Sequence, residues 1–279
     1  MKAKTIGAFE ETHGQSKIAA LEKKLRTERA KVEALADVQG HITIEKQKDC
    51  TFRIGLTGDR HFGSLYHAQY ALASFYEYAE QEGVKTIYDA GDILSGHKVF
   101  RGHEFELRDI GMDAQIERVR LATPKSDIQT KFITGNHDAS FKNLVGVSVG
   151  MQIARTVENH TFLGEEQATV VFSTPKGDFS LMLIHPGGGS AYALSYRPQK
   201  IVESLEGGKK PNMLAIGHYH KSEMMPSYRN VAVFQTGTFE KQTPFMARQG
   251  LAAHVGGWIV DVTVGENYNT IKGEFVAFY

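Results

Sequence analysis

The sequence predicts an α/β protein, and three observations carry that expectation. Residues 52–57 and 84–90 are short apolar runs separated by a segment with helical spacing, a β-α-β unit. Five apolar runs in succession end in polar clusters, as strands do when they deliver side chains to one edge of a sheet. After about residue 50 no linker, repeat or low-complexity segment interrupts the pattern.

The first 50 residues stand apart as a helical extension or linker, with the main domain over 51–279. From Ser16 to Asp37 the chain is rich in Ala, Leu, Glu, Lys and Arg and lacks Pro and Gly, which favours helix. Ile18, Leu25 and Val32 fall seven apart, with Leu21 and Leu35 offset and Glu28 breaking that row. Under three heptads leave two readings open, a helix packed on the body or a short oligomerisation helix joining copies into a homo-oligomer. Gly40 stops the helix.

The run Phe52–Thr57 enters a turn bracketed by Gly58 and Gly63 that carries Asp59 and His61. A helix is expected from His67 to about Gln81, with Ala68, Leu72, Phe75, Tyr76 and Ala79 on one face, ended by Gly83. Val84–Ala90 reads as a strand parallel to the first, ending at Gly91-Asp92. Residues 95–103 are loop, and 104–123 are helical with a break at Gly111. Lys131–Thr134 delivers Gly135-Asn136-His137-Asp138, followed by a helix over about 142–157. Residues 170–173 and 179–184 form a hairpin across Pro175–Asp178, and its second strand ends at His185. A helix near 198–205 precedes Met213–Ile216, which delivers Gly217-His218-Tyr219-His220. The remainder reads as β structure at 231–235, 258–264 and 270–278.

Composition narrows the function classes. The 279 residues suffice for a large α/β domain. Lys and Arg balance Asp and Glu at 32 each, so net charge offers no support for nucleic-acid binding. Cys50 is the only cysteine, which excludes an internal disulfide framework and a cysteine-rich zinc site. No stretch is apolar and long enough to span a bilayer, and Met1–Thr5 opens without the apolar core of a signal peptide, so a soluble cytoplasmic protein is expected.

An Asp-x-His triplet alone arises often by chance. Its partners change its meaning: Asp59/His61, Asp92, Asn136/His137/Asp138, His185 and His218/His220 all follow apolar runs. This oxygen-plus-imidazole set without thiolate suits a pair of divalent ions such as Mn²⁺, Fe²⁺ or Zn²⁺. Asp92 has two oxygens with which to bridge ions about 3.5–4 Å apart, the arrangement that clamps a phosphoryl group and activates water. His97, Arg101 and His103 follow the second cluster and are candidates for substrate phosphate, against the ordinary reading of solvated loop residues. His13, His41, His67, His160 and His254 have no motif around them and read as structural or exposed, Tyr219 as packed into the sheet, and residues 235–245 as cleft-lining.

The order Asp-x-His, Gly-Asp, Gly-Asn-His-Asp, His, Gly-His-x-His, over about residues 52–238, resembles the calcineurin-like metallophosphoesterases, which include the Mre11/SbcD-type nucleases and some phage-encoded members. Arg101–Leu107 resembles the phage-type members, whose setting would be the host cytoplasm. The resemblance implies a four-layer sandwich: two packed mixed β-sheets flanked by helices. It implies that Asp59, His61 and His220 hold one ion, that Asn136, His185 and His218 hold the other, and that Asp92 bridges them. His137 would protonate the leaving oxygen or steady the phosphoryl charge, oriented by Asp138, while a metal-bound hydroxide attacks phosphorus in line. The implied activity is phosphodiester hydrolysis, in its leading version a DNA nuclease, with a small-molecule phosphodiesterase or phosphomonoesterase as alternative. A scaffold that keeps the fold without turnover would be expected to lose such residues, and all are present. Many relatives carry Gly-Asp-x-x-Asp at the second motif, where this chain has Ser95. A partner ATPase, as in the Mre11/SbcD-type relatives, stays open.

Overall fold

The structure, a computed structural model, describes residues 41–279; the heptad segment and its helix lie outside the described residues. Thr43–Tyr279 form one compact unit. The first strand, β1 (His41–Lys46), joins a sheet.

Two six-stranded mixed sheets form the body. One contains β12 (Asn269–Ala277), β11 (Gly256–Val264), β2 (Thr51–Thr57), β3 (Thr86–Asp89), β4 (Gln129–Thr134) and β5 (His160–Glu165), in that order. The other runs β1, β6 (Gln167–Thr174), β7 (Gly177–Ile184), β8 (Met213–Ile216), β10 (Val231–Thr236) and β9 (Ser222–Tyr228). β2 to β5 are mutually parallel, and so are β7, β8 and β10. All carboxyl ends that matter for the site therefore fall at one edge of each sheet.

Strand alternation divides the apolar residues between layers. Tyr88, Ile133, Trp258 and Val260 point inward and meet Phe172, Phe179, Leu181, Met213 and Phe234 of the opposite sheet. The neighbouring positions Ile87, Phe132 and Ile259 point outward, under α1 (Gln69–Gln81), α2 (Met112–Ala122), α3 (Asn136–Val145) and α4 (Val149–Thr156). Leu214, Ile216 and Val233 point outward from the second sheet against Val202 of α5 (Tyr196–Ser204). The result is the four-layer sandwich that the resemblance implies.

Some boundaries moved. The helix expected over 142–157 is two helices: α3 starts earlier, at Asn136, and Gly146 ends it with a left-handed φ of 71°. Helix α2 starts only after Gly111, and residues 103–106 form one 3₁₀ turn. The short strands β5 and β9 and helix α6 (Pro244–Arg248) are additions that no apolar run announces. No helix among the described residues is long and apolar enough to cross a membrane.

His160, read as structural or exposed, lies 7 % exposed at the start of β5, its ring tilted over Phe132. Burial and the nearby Arg60 guanidinium push its pKa down from 6.5 to about 4. Between those values the unfolded chain binds the proton that the folded chain excludes. The neutral ring therefore supports the fold fully above pH 6.5, and this support is lost as pH falls toward 4, up to about 3 kcal/mol. Urea unfolding at pH 5 and pH 7 should show a steeper loss for the native protein than for His160→Gln; parallel losses would contradict the burial argument.

Candidate metal centre

The site is built by strand ends that turn sharply. Beyond β2 and β3 the two chains stay paired: Asp59 N–H donates to Gly91 O at 2.8 Å and His61 N–H to Asp92 O at 3.0 Å. Asp59, His61, Asp92, His218 and His220 all have positive φ, from 48° to 78°. Each non-glycine residue held there costs about 1 kcal/mol or more. Five such residues in one place, all presenting a ligand-type side chain, mark a site that the rest of the fold over-determines.

Asp59 is fully buried; both its oxygens accept the His218 backbone N–H at 2.9–3.0 Å, and its own carbonyl accepts from Phe239 N–H and the Thr238 hydroxyl. His61 and His220 face each other Nε2 to Nε2 at 3.1 Å, with Asp59 Oδ1 3.4 Å from His220 and 3.9 Å from His61. On the other side, His185 Nε2 lies 3.2 Å from Asp92 Oδ2 and 3.1 Å from Asn136 Oδ1. The His185 Nδ1–H donates to Ala90 O at 2.7 Å, which fixes the tautomer and leaves Nε2 for a ligand. The His218 Nε2–H donates to Gly188 O at 2.7 Å.

Three groups of side chains thus offer donor atoms within 4.8 Å of one another: Asp59/His61/His220, Asp92/His185/His218, and His61/Asp92/His137. The residues fit a pair of cations. Carboxylate and imidazole donors converge, and the remaining Nδ1 atoms of His61 and His220 are buried with no hydrogen-bond partner. The electrostatics agree. Burial works against charge on His61, yet Glu240, Asp59 and Asp92 hold its pKa up at about 9. Burial likewise opposes charge on His185, but Asp92 raises it to about 10. Burial pushes the two carboxyls up, and it is outweighed: His220 and His61 hold Asp59, and His185 and His137 hold Asp92, below the usual carboxylate range. The carboxylates favour positive charge among the imidazoles beside them.

His137 and Asp138 occupy the first turn of α3. The Asp138 carboxylate reaches back to the Gly135 N–H at 2.9 Å, as a helix N-terminus favours. It also accepts the Ile93 and Leu94 amides at 3.1 and 2.8 Å. The resemblance implies that Asp138 orients His137, but no direct contact joins the two side chains. That task falls to Ser95, whose carbonyl accepts the His137 Nδ1–H at 2.6 Å, while Asp138 fixes the backbone that carries it. Replacement of the usual acid by Ser95 leaves this contact intact, because the contact uses the main chain. Burial pushes the His137 pKa down to about 4 against the pull of Asp92. For Asp138, burial and Asp92 push it up to about 7.

Two candidates for substrate contact lie outside the cleft lining. His97 turns toward Phe141, 6.4 Å away and near-parallel, and Arg101 is exposed; neither lines the cleft. His103 does, because Gly96 and Gly102, both with positive φ, fold the loop so that His103 points inward. Its pKa is pushed down to about 3 by burial and by His137. Tyr219 packs on the outer apolar cluster as expected, though it also reaches the cleft. Of the stretch 235–245, Glu240, Thr243 and Phe245 line the cleft, and Glu240 Oε2 lies 4.0 Å from His61 Nε2. The signal for Glu240 was its place after a strand end.

Gly135 shows how tightly the centre is built. A Cβ there would collide with Asp92 Oδ1 and stand 2.7 Å from both Asp92 N and His185 Cε1. Gly135→Ala should keep its helix and lose about 10–100-fold in Mn²⁺ affinity by calorimetry. Unchanged affinity at unchanged circular dichroism would contradict this packing.

No family model matches the chain, and no curated protein does. Among solved structures it is similar to a Vps29 single mutant from Entamoeba histolytica, at 14 % identity over 82 % of this chain and 100 % of that one, TM-score 0.39. It is also similar to a dimetal phosphatase from Danio rerio, at 12 % identity over 81 % and 98 %, TM-score 0.40. A third is a predicted phosphoesterase from Streptococcus pneumoniae, at 9 % identity over 82 % and 98 %, TM-score 0.37.

Proposed function

We propose that this chain is a dinuclear-metal-dependent phosphoester hydrolase acting on phosphodiesters. The observation that carries the reading is the convergence of three carboxamide or carboxylate side chains and four imidazoles at strand ends, five of the seven on left-handed backbone. Asp59, His61 and His220 would hold one ion and Asn136, His185 and His218 the second, with Asp92 between them. Mn²⁺ is the expected metal, with Fe²⁺ or Zn²⁺ as alternatives. A pair of such ions supplies charge neutralisation at the phosphoryl group and activation of water.

The protein's own groups do the rest. The Nδ1–H of His137 is committed to Ser95 O, so Nε2 is the atom that meets substrate. Once Nε2 is protonated as well, the imidazolium would give that proton to the leaving oxygen or steady phosphoryl charge. Asp138 holds the amides of Ile93, Leu94 and Gly135 and so keeps Asp92 and His137 in register.

The resemblance points first to DNA as substrate. One observation favours a smaller diester: among the described residues the cleft lining contains no Lys or Arg, the side chains that neutralise a polynucleotide backbone. With added Mn²⁺, bis-p-nitrophenyl phosphate should be hydrolysed faster than p-nitrophenyl phosphate, and single- and double-stranded DNA serve as further substrates. Preference for the monoester would overturn the diesterase reading, and two bound metals without turnover on any substrate would favour a scaffold.

A further inference from the structure

The cleft is larger than the metal centre, and its other half is apolar. It encloses about 550 Å³, within the roughly 300–1,000 Å³ typical of small-ligand sites. From the metal ligands an unbroken series of rings leads outward on the His137 side. His61 meets His137 edge-on at 4.5 Å, and His137 meets His103 edge-on at 5.3 Å. His103 then lies 4.6 Å from Phe100, and Phe100 stacks on Phe245 at 4.2 Å and 22°. Met246 and Leu251 extend this wall.

The wall is held in place. Two distant segments meet in it: the loop after β3 and the segment around α6. The Glu106 carboxylate joins them by accepting the Phe245 N–H at 2.9 Å. The Val99 N–H donates to His103 Nδ1 at 3.3 Å, which keeps that ring turned into the cleft. Phe100 and Phe245 are half-buried and both line the cleft.

We infer that this wall is a subsite for a planar nucleobase carried on the leaving-group side of the scissile phosphodiester. The inference rests on the hydrolase reading for the word scissile, but its stacking geometry stands independently. A flat, weakly polar ring gains from aromatic faces. A sugar or a glycerol group offers no flat π face to stack there. The position also follows from chemistry. In its role as donor to the leaving oxygen, His137 Nε2 would face that oxygen, and the ring series runs outward from His137 through His103. The absence of Lys and Arg from the lining suits a nucleotide-scale diester whose recognition comes from the base rather than from flanking phosphates.

Two thymidine dinucleotides test it: one intact, the other with a tetrahydrofuran ring in place of the nucleoside on the leaving side. The leaving alcohols match, so only the base differs. With Mn²⁺ the intact dinucleotide should have a kcat/KM at least about ten-fold higher, the scale of one base stacked on aromatic side chains. A Phe100→Leu/Phe245→Leu double variant, which keeps apolar volume but removes both rings, should bring that ratio toward one at unchanged circular dichroism. Equal rates for the two dinucleotides in the native protein would overturn the subsite while leaving the hydrolase reading intact. A second measurement needs no turnover. Metal-free protein titrated by saturation-transfer NMR should bind thymidine 5′-monophosphate at least about ten-fold tighter than deoxyribose 5-phosphate, with the base protons saturated most strongly, and the double variant should lose the difference. Equal affinities would overturn the subsite. Base preference in binding without hydrolysis of either dinucleotide would keep the subsite and overturn the hydrolase reading.

Discussion

Asp92→Asn should reduce Mn²⁺-dependent hydrolysis of bis-p-nitrophenyl phosphate by about 10³-fold or more, the scale set by loss of a principal charge-stabilising group. Asp92 is the residue on which both halves of the centre depend. Its Oδ2 lies 3.2 Å from His185 Nε2 and 3.9 Å from His61 Nε2, and its Oδ1 accepts the His137 N–H at 2.8 Å. Removal of one negative charge from a buried site lined by imidazoles weakens both ions at once, so calorimetry should show fewer than two Mn²⁺ bound at concentrations that saturate the native protein. Asp59→Ala provides the contrast. Asp59 contacts the His61/His220 side, so that ion should weaken first while the His185/His218 ion stays largely bound. Loss of both ions equally in Asp59→Ala would mean that the division into two sites is drawn wrongly. Full activity in Asp92→Asn would remove the dinuclear reading altogether.

Arg60→Met should destabilise the protein by about 3–5 kcal/mol, the usual effect of breaking a buried ion pair and leaving its partner uncompensated. Arg60 and Asp89 are both 0 % exposed, and their Nε–Oδ2 distance is 2.6 Å. The guanidinium is otherwise held by the Tyr76 hydroxyl at 3.1 Å and the Thr57 hydroxyl at 3.1 Å, and Thr57 in turn donates to Asp89 at 2.6 Å. Asp89 Oδ1 accepts the Gly91 N–H, so the network also ties down the turn that carries Asp92. Urea unfolding measures the loss. The double variant Arg60→Met/Asp89→Asn should recover part of it, because no buried charge is then left unpaired. A loss under about 1 kcal/mol for Arg60→Met would show that water reaches Asp89 once the arginine is gone. Because Arg60 stands between Asp59 and His61 in the chain, the same substitution should weaken the ion on their side.

Much of the site was legible because its residues sit in local motifs. Gly135-Asn136-His137-Asp138 and Gly217-His218-Tyr219-His220 each follow an apolar run, so their arrival at a sheet edge is a matter of strand direction. The role of Arg60 was not legible. A charged residue between two ligands reads as exposed, but the left-handed turns at Asp59 and His61 send the neighbouring side chains in opposite directions, and Arg60 goes under the sheet. Glu240 was legible only as part of a stretch near a strand end. It reaches His61 because Ala68 N–H bonds Phe239 O and Phe239 N–H bonds Asp59 O, pairings between segments far apart in the chain. The placement of His97 and Arg101 outside the cleft lining was not legible for the same kind of reason: in a glycine-punctuated loop, backbone φ decides which histidine turns inward, and composition is silent on φ.

The sequence by itself determined the α/β class, the parallel β2–β3 unit, the apolar faces and the set of oxygen and imidazole donors, because periodicity and strand-end placement are local properties of the chain. Tertiary structure alone decided that Ser95 rather than Asp138 orients His137, that Arg60 is buried against Asp89, and that His103, Phe100 and Phe245 form one wall beside the centre. Those facts depend on side-chain direction at turns and on contacts across long stretches of chain, where packing chooses among arrangements that local sequence leaves equivalent.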